Sequence, residues 1–382
     1  MAYNYVELGT LITPSKTVRC GDGVYPVLSM TMHNGLVFQD EKFKKVIASK
    51  DTSDYKVVYR NQLVISFPID EGVLAAQRIT DAGIVSPAYG IWDINQSKIL
   101  PEFLEYALRC DRAIQYYKSK LRGSTARRRT LPTPTLLAFM VPLPCLEEQK
   151  MVIDRIHRVQ SVIEKRKEQI KKLDDLIKAR FVEMFGDPMV NPKGYETRPF
   201  GELFELNAGG TPSKAKPEYW EGGTIPWIGS NMCQNVILYE NDGKYISQEG
   251  YDHSSARLFP IDTVLIALVG ATIGKTALLK FETSTNQNVL GVRHIVESGY
   301  NPMFVYYYTQ FLYQKFMSIG DGGFSMASKG FVSELPMYDI DLLAQNEFAT
   351  FAKQVDKSKA VVRKSLDENQ KLFDGLMQQY FG

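Results

Sequence analysis

Cysteine is scarce and unpatterned in this chain of 382 residues. Cys20, Cys110, Cys145 and Cys233 form no Cys-x-x-Cys pair and stand at no Cys/His ligand spacing. That argues against a disulfide framework and a metal site, and it fits a reducing compartment. The histidines, His33, His157, His253 and His294, are dispersed, so no Ser/His or Cys/His pairing can be picked out. Long apolar runs are missing as well. The longest, such as Val264 to Val269, are far too short to cross a bilayer, and the opening MAYNYVELGT lacks the basic and apolar regions of a signal peptide. A soluble, cytoplasmic protein is expected. Nor is there an excess of one charge: 45 Lys and Arg against 43 Asp and Glu leave a net charge of +2. Such a balance neither demands nor excludes nucleic acid, because a basic footprint can be local.

Catalytic signatures are the next absence. The stretch GATIGKT (Gly270 to Thr276) follows a strand-like run, but a phosphate loop needs four residues between the first Gly and the Gly-Lys pair. Here there are only Ala271, Thr272 and Ile273. A turn presenting Gly274 and Lys275 to a polyanion is the better reading. No Asn/Asp-Pro-Pro-aromatic tetrad or Phe-x-Gly-x-Gly loop of an adenine or cytosine methyltransferase occurs, since Asn191-Pro192-Lys193 and Asn301-Pro302-Met303 lack the second proline. Helicase signatures are missing too. The chain alone is expected to be no enzyme, with no catalytic residues and no cofactor of its own.

What is present is repetition. TPSK stands at residues 13–16 and again at 211–214. Tyr25-Pro26-Val27 is echoed by Ile225-Pro226-Trp227, and Leu100-Pro101-Glu102-Phe103 by Asn301-Pro302-Met303-Phe304. Gln149 opens a charged segment ending in Phe185-Gly186, and 196 residues on Gln345 opens another ending in Phe381-Gly382. Offsets that drift so little predict one unit duplicated, with small loop insertions and deletions. The two TPSK stretches are read as the same turn in each copy.

Two textures alternate along the chain. Residues 1–145 and 187–341 carry short apolar runs broken by Gly, Pro and Asn, each with one expected helix, PEFLEYALRCDRAIQYYKSKL in the first and PMFVYYYTQFLYQKFM in the second. Each reads as a mixed α/β globule. Residues 146–186 and 342–382 have few Gly or Pro and a strict helical period. Val152, Ile156, Val159, Ile163, Arg166, Ile170, Leu173, Ile177, Arg180 and Met184 step by alternating four and three, the seam of a coiled coil. The second copy repeats it in register as Phe348, Ala352, Val355, Lys359, Val362, Leu366, Asn369, Phe373, Leu376 and Tyr380. Neither rod can bury its seam alone. Each either packs on its own globule or pairs with the other as a spacer, and equal length favours pairing. A pseudo-twofold axis would make the pair antiparallel and bring the chain's last residues beside its first. The fold class expected is therefore mixed α/β, two pseudo-symmetric globules separated by an antiparallel two-helix coiled coil.

Polyanion binding has local support. From Tyr116 to Thr130 run six cations, Lys118, Lys120, Arg122, Arg127, Arg128 and Arg129, with no acid. A solvated basic face is the alternative, but three consecutive arginines after a Gly-Ser-Thr hinge can reach phosphates or base edges. The corresponding stretch of the second copy, GDGGFSMASKG, is much less basic and offers Lys329. Lys16 and Lys214 close the TPSK stretches, which read either as structural turns or as lysines aimed at a phosphate backbone. With Lys275, these ten residues are the DNA-binding candidates.

AGGTPSKAKPEYWEGGTIPWIGSNM (Ala208 to Met232) closely resembles the opening of a target recognition domain in the specificity subunits of type I restriction-modification systems. GSTARRRTLPTPTLLAFMVPLPCLEEQ (Gly123 to Gln149) resembles that domain's exit, and the Ile273-Gly274-Lys275 turn and the FGDP helix end (Phe185 to Pro188) are family features too. The first entry, LGTLITPSKTVRCGDG, departs by lacking Gly-Gly before Thr-Pro. The resemblance implies two target recognition domains, at 1–145 and 187–341, with spacer helices at 146–186 and 342–382. Each domain would read one half of a bipartite, asymmetric site in double-stranded DNA. The implied partners are two modification (methyltransferase) subunits and the restriction subunits, an ATP-dependent translocase and nuclease. S-adenosylmethionine, ATP and Mg would belong to those partners, and no membrane is involved. The alternative is a coiled-coil adaptor that binds protein without DNA specificity; a stand-alone nucleotide enzyme has only GATIGKT to recommend it.

Overall fold

The computed structural model describes residues 3–32, 34–42, 51–121, 131–294, 299–319 and 326–382. It resolves into two compact units, residues 1–167 with 364–382, and residues 168–363. Each contains one globule and one end of each of two long helices, Leu146–Phe185 and Leu342–Phe381.

The same strand plan occurs in both units. In the first, the sheet runs Ile12–Pro14, Gly90–Ile94, Leu63–Ile65, Leu74–Ala76, with every pairing antiparallel. In the second it runs Phe204–Ala208, Val289–His294, Val264–Ala267, Thr276–Leu279, and adds Val236–Leu238 in parallel at the edge. Registers coincide: Leu63 faces Trp92 where Val264 faces Val292. The Tyr-Pro-Val and Ile-Pro-Trp landmarks also match, since Val27 makes a parallel bridge to Ile84 and Trp227 pairs in parallel with Ser284. A second small ladder closes each globule, Tyr5–Glu7 on Met140–Pro142 and Thr197–Pro199 on Pro336–Tyr338. The strands are short because Gly, Pro and Asn interrupt them, and they are rich in the β-branched residues that suit a half-buried pleat.

Two sequence expectations are corrected. The single helix expected over 101–121 is two, Pro101–Arg109 and Asp111–Lys120, because Cys110 takes an extended backbone (φ −69°, ψ 162°) that turns the chain. The bend lets Ala113 and Tyr117 enter the same core as Phe103, Leu104, Ala107 and Leu108, which no straight stripe would do. The second copy likewise breaks into Pro302–Phe311 and Tyr313–Met317. The other correction concerns TPSK. Thr13 pairs with Asp93 inside a strand, and the register match at that place in the second unit is Glu205 with Arg293. Thr211 lies beyond the end of its strand at Ala208. The two tetrapeptides therefore occupy different places in the plan.

The long helices pair antiparallel. In the second unit Asp174 lies against Lys359 and Arg180 against Glu347, so one helix rises as the other descends. In the first, the Arg155 guanidinium donates to the Tyr380 hydroxyl at 2.7 Å. Every seam position read from the sequence is buried or half-buried. Residues beside the seam also pack on the globules: Phe181 stacks on Phe304 and Phe311 with ring centroids 5.5 and 4.7 Å apart, and meets Phe348 edge-on at 5.2 Å. Pairing and globule packing thus occur together. Near the chain's end, the Tyr5 hydroxyl donates to the Gly382 carbonyl at 3.4 Å.

The two glutamines that open the long helices make equivalent clamps. Gln149 accepts from the Leu100 amide at 2.8 Å and donates to the Lys98 and Pro144 carbonyls, each at 2.9 Å. Gln345 accepts from the Asn301 amide at 2.9 Å and donates to Gly299 and Ile340 at 3.3 and 2.8 Å. Both side chains are fully buried. Gln149→Leu or Gln345→Leu strands an amide and two carbonyls, and each is expected to lower unfolding free energy by about 1–3 kcal/mol. Urea unfolding of the two variants measures it, and a loss of a few tenths would show that water replaces the amide.

Candidate nucleic-acid interface

In the second unit the chain leaves the strand Phe204–Ala208 through Gly209-Gly210, and the pair is required by crowding. A Cβ on Gly209 would sit 2.1 Å from Thr285 Oγ1, and one on Gly210 would sit 2.3 Å from the backbone carbon of Ser255. The Gly210 amide donates to the Thr285 carbonyl at 2.8 Å, and the Gly210 carbonyl accepts from the Trp227 indole at 3.0 Å. Beyond it, Thr211 Oγ1 donates to Gln287 Oε1 at 2.6 Å, Pro212 is buried, and the Trp220 indole donates to the Ser213 carbonyl at 3.2 Å. Trp220 and Trp227 meet edge-on at 5.2 Å. Two indoles therefore pin a loop whose outward residues are Ser213 and the exposed Lys214. Lys216 turns back instead. Its Nζ donates to the Tyr219 hydroxyl at 2.8 Å and lies over that ring, and this bond raises its pKa.

The hairpin between Val264–Ala267 and Thr276–Leu279 carries Lys275. Its amides are used internally: Ile273 donates to Gly270, Gly274 to Ala267 and Lys275 to Thr272. Gly274 has φ +73°, and a Cβ there would meet Phe316 at 2.7 Å. This turn offers a side chain to a polyanion rather than a cradle of amides. Lys275 Nζ donates to Gln234 Oε1 at 2.8 Å and is half-buried.

Lys329 is exposed at the start of the short helix Lys329–Ser333, whose Phe331 amide is capped by Ser328 Oγ at 3.1 Å. In the first unit Lys16 is exposed just after Ser15, whose amide donates to Ile91. Lys118 and Lys120 are exposed in the last turn of Asp111–Lys120. Arg122, Arg127, Arg128 and Arg129 lie outside the described residues. The candidates thus sit on separate elements. Among the described residues Lys275 bonds to Gln234, and Thr211, in the loop that carries Lys214, bonds to Gln287. Those two exposed amides were missed in the sequence because their partners are 41 and 76 residues away. Among the described residues no cluster of His, Cys, Asp and Glu could hold a metal ion, and no helix is long and apolar enough to cross a membrane.

Two α/β units on one strand plan, each with part of an antiparallel helix pair, define a duplicated α/β scaffold. Residues 192–368 match the type I restriction modification DNA specificity domain. Over 100 residues the chain is 36% identical to the EcoR124I/EcoR124II specificity subunit of Escherichia coli, covering 25% of this chain and 24% of that one. Among solved structures, one describing complex assembly and conformational transition of the type I R-M system superposes with TM-score 0.58 at 17% identity, covering 99% of this chain and 97% of that one. The type I S subunit from M. genitalium gives 0.55 at 14%, covering 100% and 96%. These superpositions concern the fold. Over residues 192–368 the chain is thus similar to type I restriction-modification specificity subunits, and it aligns with only about a quarter of the length of the first curated relatives it matches.

Proposed function

We propose that the chain is the DNA-reading subunit of a type I restriction-modification complex. Each globule reads one half of a bipartite, asymmetric duplex site, and the paired helices set the distance between the halves and dock two modification subunits. The observation that carries this reading is the repeated strand plan joined to an antiparallel helix pair. Two like readers on one spacer suit two half-sites, and the family match over residues 192–368 points the same way. The chain itself turns nothing over in this reading. S-adenosylmethionine, ATP and Mg act on partner subunits, and the complex works in the cytoplasm. The ten cations, Lys16, Lys118, Lys120, Arg122, Arg127, Arg128, Arg129, Lys214, Lys275 and Lys329, would meet DNA, mostly at phosphates, which position the duplex without reading it. The exposed amides of Gln234 and Gln287 are better suited to base edges, since an amide can pair with adenine N6 and N7.

Replacing Arg127, Arg128 and Arg129 together by Ala is expected to weaken duplex binding by the assembled methyltransferase on all sequences alike. If all three meet phosphates, the slope of log K against log salt falls by about 3. Fluorescence anisotropy across a salt series reads both quantities. Unchanged affinity and slope would make the cluster a solvated face.

A further inference from the structure

One ammonium is buried in the helix seam. Lys359 is 8% exposed; its Nζ lies 2.5 Å from Asp174 on the first long helix and 3.2 Å from Asp356 on its own. Asp356 also accepts from the Tyr307 hydroxyl at 3.3 Å. Burial, and then the Asp356 carboxylate, raise the pKa of that phenol, so it stays a donor. The repeat offset of 196 that relates Gln149 to Gln345 assigns Ile163, Gln370 and Gln160 to the corresponding places in the other unit. That set is neutral, and there the Tyr106 hydroxyl donates to Gln160 at 3.1 Å. The duplicated helices therefore share most of their apolar pattern and differ in charge at this buried site, as they also do where Arg166 and Arg180 answer to Val362 and Leu376.

We propose that this site makes the seam selective for unlike helices, so that the second long helix accepts the first one and rejects a second helix from another copy of the chain. The two seams are alike enough that apolar packing alone would tolerate either partner. In a like-with-like antiparallel pair of second helices at the same register, Lys359 faces Gln370 and loses its cross-helix acid. In a pair of first helices, Asp174 faces Ile163. Lys359 would then keep only Asp356 on its own helix, and the part-exposed Asp174 would lose its cation. Stripping a buried ammonium of its closer carboxylate is disfavoured, and a single polar seam residue is known to fix partner and register in coiled coils. Pairing of the first helix with the second is the arrangement in which buried Lys359 keeps both of its carboxylate partners. The proposal concerns chain pairing and needs no DNA, so it stands or falls apart from the proposed function.

The test uses the full chain carrying two different affinity tags, mixed in urea and refolded together, with the fraction of mixed copies read by pull-down. The triple variant Lys359→Ile, Asp174→Gln, Asp356→Gln gives both ends the neutral set. It is expected to fold, by circular dichroism, and to form mixed copies several-fold more than the unaltered chain. Asp174→Lys alone sets two ammoniums together and should lower the urea midpoint and raise mixing; adding Lys359→Asp should return both toward the original values. Should the triple variant fail to fold, this charge exchange decides alone. No rise in mixing by a folded triple variant, or no recovery on adding Lys359→Asp, overturns the proposal.

Discussion

Removing residues 164–170 and 361–367 together is expected to draw the two DNA half-sites closer by about three base pairs. Both segments straddle the boundary between the compact units, which falls after Lys167 in one helix and after Arg363 in the other. Each is one heptad, so the seam stays in phase: Ile163 is followed by Leu173 and Lys359 by Asn369 at the proper spacing, and the Lys359–Asp174 pair is kept. A helix rises about 1.5 Å per residue, so the pair shortens by about 10 Å. DNA rises about 3.4 Å per base pair, which sets the expected change. Part of the shift is opposed by the twist of the duplex, because about three base pairs also rotate one half-site by roughly a quarter to a third of a turn. Methylation mapping of the shortened variant measures it. An unchanged gap in an active complex would show that something other than the helices sets the distance, and altered half-site bases would show that recognition residues lie in the helices.

A large effect on stability is expected from Phe381→Ala, although the residue is next to last in the sequence. Its ring is fully buried, 4.9 Å from Phe103 and 6.2 Å from Tyr106, in the core of the first unit. The backbone carbonyl of Phe381 also accepts from Arg112 Nε at 3.0 Å, a bond that survives the truncation. Loss of the ring alone should cost about 3–5 kcal/mol, as large-to-small core substitutions do. Phe185→Ala is the matched change in the second unit, where the ring meets Phe304 at 5.0 Å and Phe348 at 5.9 Å. Denaturant unfolding should show losses of similar size. A loss below about 1 kcal/mol for Phe381→Ala would mean that the helix end is not anchored in that core.

How far the sequence could be read depended on whether the signal was local. The helix seams were legible because their period is a property of consecutive residues, and the seam positions from Val152 to Met184 are indeed covered. The duplication was legible from landmarks that keep a backbone role, such as Pro26 and Pro226 ahead of matching parallel bridges. TPSK misled because identity over four residues carries no register; the strand pairing of Thr13 with Asp93 has no counterpart at Thr211. The break at Cys110 was hidden, since its neighbours continue a good helical pattern and tertiary packing decides the turn. The loop that presents Lys214 was recognised by resemblance, but its causes were not visible. The indoles of Trp220 and Trp227 and the amide of Gln287 reach it from elsewhere in the chain. Lys359 could be placed in the seam from its spacing, while its match with Asp174 required the antiparallel register.

The most direct test of the central claim is a genome-wide map of methylated adenine in cells that carry the modification subunit with this chain, and in cells that carry the modification subunit without it. The account predicts methylation at one bipartite sequence, two short specified parts separated by a fixed gap, present with the chain and absent without it. Replacing residues 187–341 by the corresponding globule of a relative should then change one part of that sequence and leave the other. Methylation that does not depend on the chain, or a sequence in which both parts change together, would contradict it.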